Sequence, residues 1–140
     1  MKRFAFVLSL VACLVLVSCG SSEPEYDFAN KDDVKAYTET YFADDSSVTV
    51  KSVSVNDDAS NPGSLIMVLN MTFNNENDAD LSKSASQAAS DLFVQDIQDK
   101  ATTLGTIVTN IEVPHLNGYG KIDYSRHDGK FAIDDIHYSF

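Results

Sequence analysis

The stretch LSKSASQAASDLFVQDIQDKATTL, residues 81–104, decides the fold of this chain. Its apolar side chains recur at intervals of three and four residues, which predicts an amphipathic helix with one face against a core. The members of this stripe are Ala85, Ala88, Ala89, Leu92, Phe93, Ile97, Ala101 and Leu104. The first half is rich in Ala and Ser, which favours close contact with a sheet. Leu92 and Phe93 are the expected anchors, and Gly105 is expected to end the helix.

The residues before this helix predict a shorter helix and a β-hairpin. Asn30 is followed by two acids, which is typical of a helix N-cap, so residues 31–42 are expected to be helical. Residues 48–55, VTVKSVSV, alternate as a strand, and their phase changes at Lys51, which predicts a β-bulge. A stretch of turn-forming residues then leads into a second strand, SLIMVLNMTF, at residues 64–73.

The residues after the long helix predict a second group of strands. These strands are expected at residues 107–113, 119–127 and 130–140. Asp128-Gly129 between the last two is typical of a type I′ hairpin turn. The apolar alternation of the final strand changes phase at Asp134-Asp135.

The order of elements is therefore α-β-β-α-β-β-β, which predicts a single α+β domain. We expect an antiparallel sheet of four to five strands, one long helix packed across a face and a short N-terminal helix. Each half begins with a helix and continues with a hairpin. This arrangement resembles the helix-plus-hairpin units of small exported inhibitory domains of the PepSY type, and also cystatin-like folds. A fold of this kind does not by itself indicate a function.

The N-terminus carries a targeting signal. Lys2 and Arg3 precede an apolar run at residues 4–17 that is interrupted only by Ser9. This run is shorter than the roughly 20 residues that a transmembrane helix needs, and a basic start followed by such a run is typical of a secretory signal.

The residues Leu16-Val17-Ser18-Cys19 close this run and resemble the lipobox of bacterial lipoprotein precursors. The resemblance implies a diacylglycerol thioether on Cys19 and cleavage just before it. It also implies a location on the extracytoplasmic side of the cell membrane, or at the outer membrane if the envelope has one. An ordinary signal peptide cut nearby, or a core strand that contains two cysteines, are the alternatives.

The lipobox interpretation divides the chain into three parts. Residues 1–18 are the cleaved signal peptide, 19–30 are the lipidated cysteine with a short tether, and 31–140 are the domain. Cys13 leaves with the signal, so the mature chain keeps one cysteine and has no disulfide of its own.

The charge of the chain bears on its partners. The signal peptide removes Lys2 and Arg3, its only charges, which takes the formal net charge from −11 to −13. A domain this acidic is repelled by nucleic acid and by anionic lipids, so acyl chains rather than a basic patch must hold it at a membrane. The acidity indicates a soluble surface, or a preference for basic protein partners or cations.

Metal ligation is not strongly indicated. The three histidines, His115, His127 and His137, lack the paired spacing of a zinc site, and His127 is expected to face Lys130 across the final turn. The loop Asn74–Asp80 places oxygen side chains at alternate positions, but Ala79 stands where an EF-hand requires glycine. Helix capping explains these residues, and a looser calcium site at Asn74–Asp80 stays open.

Catalysis and cofactors are not expected either. The chain has no Gly-x-Ser-x-Gly elbow, and neighbours on a strand such as Asp134 and Asp135 point to opposite faces, so they do not form an acid–base pair. No catalytic residue, metal ligand or cofactor-binding residue is assigned.

The aromatic residues are the remaining candidates for a binding surface, with core edges as the alternative role. They are Tyr37, Tyr41, Phe42, Tyr119, Tyr124, Tyr138 and Phe140. Tyrosine is favoured at protein interfaces. We therefore expect a lipid-anchored module that binds a protein, as an inhibitor or immunity protein does. A solute- or cation-binding lipoprotein is the alternative.

Overall fold

The computed structural model describes residues 24–74 and 78–140. Within these ranges the chain forms two α-helices, one short 3-10 helix and five β-strands. The helices are α1 (Lys31–Tyr41) and α2 (Ala79–Gln98), and the 3-10 helix is Pro114–Leu116. The strands are β1 (Val48–Asp57), β2 (Leu65–Phe73), β3 (Leu104–Val113), β4 (Gly118–His127) and β5 (Lys130–Ser139). The fold class is α+β. The order of elements differs from the predicted one because a 3-10 helix, which was not predicted, lies between β3 and β4.

The prediction of an antiparallel sheet is wrong, because the sheet is mixed. The strand order is β1-β2-β3-β4-β5, and β2 pairs with β3 in parallel while the other neighbours are antiparallel. The physical reason is the connection between β2 and β3. A helix of 20 residues spans about 30 Å and carries the chain back along the sheet, so both strands start at the same end.

Both α-helices begin with a side-chain cap. The Asn30 side chain accepts a hydrogen bond from the backbone N–H of Asp32 at 2.8 Å, which confirms the predicted start of α1. Asp78 caps α2 in the same way by accepting from the N–H of Leu81 at 2.9 Å. Each cap satisfies a donor that has no partner within its helix.

The face that α2 buries matches the predicted one in part, since Ile97 is buried and Ala85 and Ala89 pack against the core as expected. Phe93 is fully buried as expected, but Leu92 is 61 % exposed, so Leu92 is not an anchor. The buried stripe continues from Phe93 through Ser90, Ser86 and Ser82. These serines are small enough to let the helix approach the sheet closely.

The end of α2 was also predicted too late. The helix ends at Gln98, and Ala101 and Leu104 are buried outside it. Leu104 is the first residue of β3, and Gly105 lies within that strand instead of ending the helix.

Both edge strands carry a bulge where their alternation changes phase, and the bulge in β1 is the predicted one. The pairing of β1 with β2 passes from Val50 to Ser52, which leaves Lys51 as the extra residue. The pairing of β5 with β4 passes from Ile133 to Asp135 in the same way, which leaves Asp134 extra. In both strands the extra residue keeps the apolar side chains on one face.

The turn at Asp128-Gly129 is confirmed. Both residues have positive φ, 49° and 81°, as a type I′ turn requires. His127 pairs with Lys130 across it, as expected.

Both helices pack on one face of the sheet, which we call the covered face. Its core includes Met67, Leu69, Ile107, Ile111 and Ile122, all fully buried, and Phe93 from α2. In each strand, the side chains that alternate with these buried ones point to the opposite face of the sheet. No described element packs on them, and we call this side the open face.

Candidate functional site

The predicted lipidation site, Cys19, lies outside the described residues, as do the signal peptide and the lipobox. The first described residue is Pro24, five positions after Cys19. No helix within the described ranges is both long enough and apolar enough to cross a membrane. Lipid attachment at Cys19 stays a prediction.

Residues 24–30, which the sequence assigned to the tether, pack against α1. The N–H of Asp27 donates to the Asp33 carboxylate at 2.8 Å, and the Tyr26 hydroxyl donates to Thr40 at 3.2 Å. The Phe28 ring lies 5.0 Å from the Tyr37 ring, centroid to centroid. The folded unit therefore extends from residue 31 back at least to Tyr26.

Four rings form an aromatic groove between this segment and α1. They are Tyr26, Phe28, Tyr37 and Tyr41. The first three are half-buried, and Tyr41 is exposed. Tyr37 lies at the centre, 5.3 Å from the Tyr26 ring and 6.4 Å from the Tyr41 ring, at distances where aromatic pairs attract. The groove encloses about 560 Å³ and is completed by Pro24, Glu25, Thr40 and Lys100.

The aromatic groove is fastened to the end of α2 by Asp96. The Tyr37 hydroxyl donates to the Asp96 carboxylate, and the Lys100 ammonium lies 2.5 Å from the same carboxylate and 5.4 Å from the Tyr37 ring centroid. Burial opposes the ionisation of Asp96, but the hydrogen bonds from Lys100 and Tyr37 outweigh it and lower its pKa. Burial and the hydrogen bond to Asp96 raise the pKa of Tyr37.

The open face carries a continuous row of hydrogen-bonded side chains across β1 to β4, which we call the amide ladder. Asn70 donates to Ser52 at 2.8 Å, and Asn110 donates to Asn70 at 2.8 Å. Tyr119 donates its hydroxyl proton to Asn110 at 2.7 Å. The ladder lines a shallow groove of about 290 Å³ together with Lys51 and Glu112, which form an ion pair at 2.5 Å. This part of the open face is polar, and its side chains are ordered by their own hydrogen bonds.

The sequence analysis did not identify the amide ladder. Its signal was a single Asn within each of two apolar strands, LIMVLNMTF and LGTIVTNIEV. Asn70 and Asn110 are direct partners in the β2–β3 register, and this register follows only from the parallel crossover.

The open face becomes acidic toward β5. Asp123 and Asp135 are direct partners in the β4–β5 register, so two like charges face each other on adjacent strands. Lys121 pairs with one oxygen of Asp123 at 2.7 Å, and this hydrogen bond raises the pKa of Lys121. The other oxygen, Asp123 Oδ1, is buried and has no hydrogen-bond partner among the described residues.

The structure does not bring the three histidines together. His137 pairs with Lys121, six residues along β4 from His127, which separates the two by about 20 Å. His115 is exposed on the 3-10 helix. Among residues 24–74 and 78–140, no group of three or more His, Cys, Asp or Glu is placed to hold a metal ion.

A Ser-His-Asp contact occurs at the end of the last hairpin. Ser125 Oγ lies 2.7 Å from His127 Nε2, and Asp134 Oδ1 lies 3.3 Å from the same nitrogen. A catalytic triad instead uses the two ring nitrogens separately, one for the serine and one for the carboxylate. Because Ser125 and Asp134 both contact Nε2, the carboxylate does not orient His127 to accept a proton from the serine. Hydrogen bonds from Ser125 and His127 lower the pKa of Asp134.

The loop Asn74–Asp80 is only partly described, since residues 75–77 lie outside the described ranges. Asp78 caps α2, and the Asn74 side chain donates to Thr49 at 2.9 Å. Both side chains are thus engaged in local hydrogen bonds. The looser calcium site stays an untested prediction.

The predicted aromatic residues do not form one surface. Phe42 and Tyr124 are buried in the core, while Tyr37 and Tyr41 belong to the aromatic groove. Tyr119 belongs to the amide ladder. Tyr138 and Phe140 stack on each other with ring centroids 5.7 Å apart.

Comparison with known proteins adds no relative to this description. Neither a family model, nor a curated protein, nor a solved structure matches the chain.

Proposed function

We propose that this chain is a lipoprotein of the bacterial type, anchored by lipid on Cys19, whose domain binds a basic protein on its open face. An inhibitor or immunity-like role fits such a module. The observation that carries the proposal is the opposed pair Asp123–Asp135. Like charges placed directly opposite on adjacent strands destabilise a sheet, and here they coexist with a buried carboxylate oxygen that has no partner.

A basic partner would relieve the repulsion between these two carboxylates. A Lys or Arg side chain placed beside Asp135 offsets the repulsion from Asp123 and donates to the exposed Asp135 carboxylate. Because the bond would be charge-assisted and partly shielded from water, it contributes more than an exposed ion pair. The neighbouring amide ladder offers further donors and acceptors in a fixed arrangement, as a specific interface requires.

The position of the tether supports this use of the open face. Residues 24–30 pack on α1, and α1 lies on the covered side, where Thr38 contacts Met67. Pro24, the first described residue, and the open face are therefore on opposite sides of the sheet. A protein in the extracytoplasmic space can reach the open face without displacing the anchor.

The anchor is tested by metabolic labelling with an acyl-chain analogue. We expect the full-length protein to be labelled and Cys19→Ala to be unlabelled and to remain as the uncleaved precursor. Cys13→Ala is the matched control and should label normally. Labelling that persists in Cys19→Ala would contradict the anchor.

Partner binding is tested by chemical crosslinking in intact cells, followed by purification of the anchored protein. We expect a discrete crosslinked species that is lost in Asp135→Lys and retained in Asp44→Lys. The control makes the same change of charge at an exposed residue between α1 and β1. Equal retention in both variants, or equal loss, would contradict a partner on the open face.

A further inference from the structure

The aromatic groove lies where the chain leads to the predicted anchor. Pro24 and Glu25 line the groove, and five peptide units separate Pro24 from Cys19. Five residues span at most about 18 Å when fully extended. If lipid on Cys19 sits in a bilayer, the groove is held within this distance of the headgroups.

The chemistry of the groove suits that position. Tyrosine is enriched where a membrane meets water, because its ring is apolar and its hydroxyl is polar. Three of the four rings are tyrosines, and Tyr41 remains 38 % exposed although it lies beside the buried Phe93. Lys100 stands at the rim with its ammonium over Tyr37, as long cationic side chains do when their stems lie along apolar surface.

We propose that the aromatic groove docks on the lipid headgroup layer, so that the helices face the membrane and the open face points away from it. This orientation rests on the lipid anchor proposed above. It goes further by assigning a second, non-covalent membrane contact. The bilayer surface is the occupant of the groove.

A weak contact is sufficient for this docking. A short tether holds the domain at an effective concentration of millimolar order, so an intrinsic affinity of that order already populates the docked state. The net charge of −13 after cleavage opposes binding to anionic lipid. Docking should therefore be strongest on zwitterionic lipid and undetectable for the domain without its anchor.

The test uses the acylated protein purified from membranes and reconstituted on phosphatidylcholine vesicles. A fraction of the lipid carries a nitroxide on the headgroup, which quenches nearby fluorophores. Because the Cys19 thiol is blocked as a thioether, a cysteine introduced elsewhere is the only free thiol. One fluorophore is placed at Thr40→Cys in the groove. The matched control is Ser54→Cys, on β1 opposite Val68 and thus on the open face; both positions are exposed.

We expect the nitroxide lipid to quench the fluorophore at Thr40→Cys and to leave that at Ser54→Cys unchanged. Co-flotation with the vesicles and the melting temperature of each variant are measured on the same samples. Protein that floats but shows equal quenching at the two positions, or stronger quenching at Ser54→Cys, overturns the docked orientation and leaves the anchor intact. Protein that does not float overturns the anchor and the orientation together. Quenching that is reversed by an added soluble protein, with the vesicles still bound, would assign the groove to a protein and also overturn the proposal.

Discussion

The two faces of the sheet differ in what their side chains contact, although the same strands form both. On the covered face, apolar side chains from β2, β3 and β4 are fully buried beneath two helices. On the open face, the alternate positions of those strands carry hydrogen-bonded amides, hydroxyls and charges, together with the half-buried aliphatic side chains of Ile66, Val68 and Val108. The covered face stabilises the fold, and the open face places two like charges, Asp123 and Asp135, opposite each other. This difference locates the proposed binding surface.

The largest expected effect falls on the covered face. Phe93 is fully buried between the helices and the sheet and contacts Tyr41 and Phe42. Phe93→Ala should lower the free energy of unfolding by about 3–5 kcal/mol, because it leaves a cavity in the core. Denaturant unfolding measures this loss. The matched control is Leu92→Ala, at the adjacent and exposed position, which should change stability by no more than about 0.5 kcal/mol. Similar losses for both would mean that the helix buries the face predicted from sequence.

The second prediction concerns a close approach at the start of β4. A Cβ atom added at Gly120 would lie 2.6 Å from the Tyr138 ring, so only glycine lets this ring lie over the strand. Gly120→Ala should cost about 1–3 kcal/mol, since the ring must move out of its site. In a Tyr138→Ser background the same change should cost much less. An equal cost in both backgrounds would show that the ring is not the obstacle.

The third prediction concerns pH and the buried hydroxyl of Tyr124. This hydroxyl donates to Asp91 at 2.7 Å and lies 2.9 Å from Ser90. Burial and the hydrogen bond to Asp91 raise the pKa of Tyr124. The folded state therefore keeps a proton that the unfolded chain releases near pH 10, and the contribution of Tyr124 to stability is present below that pH and lost as the pH rises above it.

Tyr124→Phe tests this contribution. It should cost about 1–2 kcal/mol at neutral pH, because the Asp91 carboxylate loses its donor. Its stability should also fall less steeply above pH 10 than that of the unchanged chain. Urea unfolding between pH 7 and pH 11 measures both effects, and parallel pH curves for the two proteins would contradict the assignment.

The smallest effect is expected on the open face, and it has the opposite sign. Asp135→Asn removes the repulsion of Asp123 without changing side-chain size, so the melting temperature should rise slightly. The same variant should reduce crosslinking to the partner. Asp44→Asn is the control and should change neither. A lower melting temperature for Asp135→Asn would show that the opposed acids do not strain the sheet.

Local patterns in the sequence predicted local structure well. The phase change at Lys51 indicated a bulge because strand side chains alternate strictly. Asp128-Gly129 indicated its turn because few residues adopt positive φ. The cap at Asn30 followed from its neighbours alone. Each of these features depends on a few adjacent residues.

Features that depend on distant contacts were missed. Ser82, Ser86 and Ser90 are buried because the sheet lies close by, where Ser90 donates to Thr109, and a stripe drawn through apolar residues favoured Leu92 instead. The parallel pairing of β2 with β3 is set by the length of α2, which hydrophobic periodicity does not reveal. The amide ladder and the Asp123–Asp135 pair both depend on that register. The sequence shows these residues, but it does not show which of them become neighbours across the sheet.

Site-specific photo-crosslinking in intact cells tests the central claim most directly. A photoreactive residue is placed at Val108, half-buried at the centre of the open face, or at Leu92, exposed on the helical side. We predict a discrete protein adduct from Val108 and no such adduct from Leu92. A protein adduct from Leu92 alone, or no adduct from Val108, would contradict a partner-binding module that presents its open sheet away from the membrane.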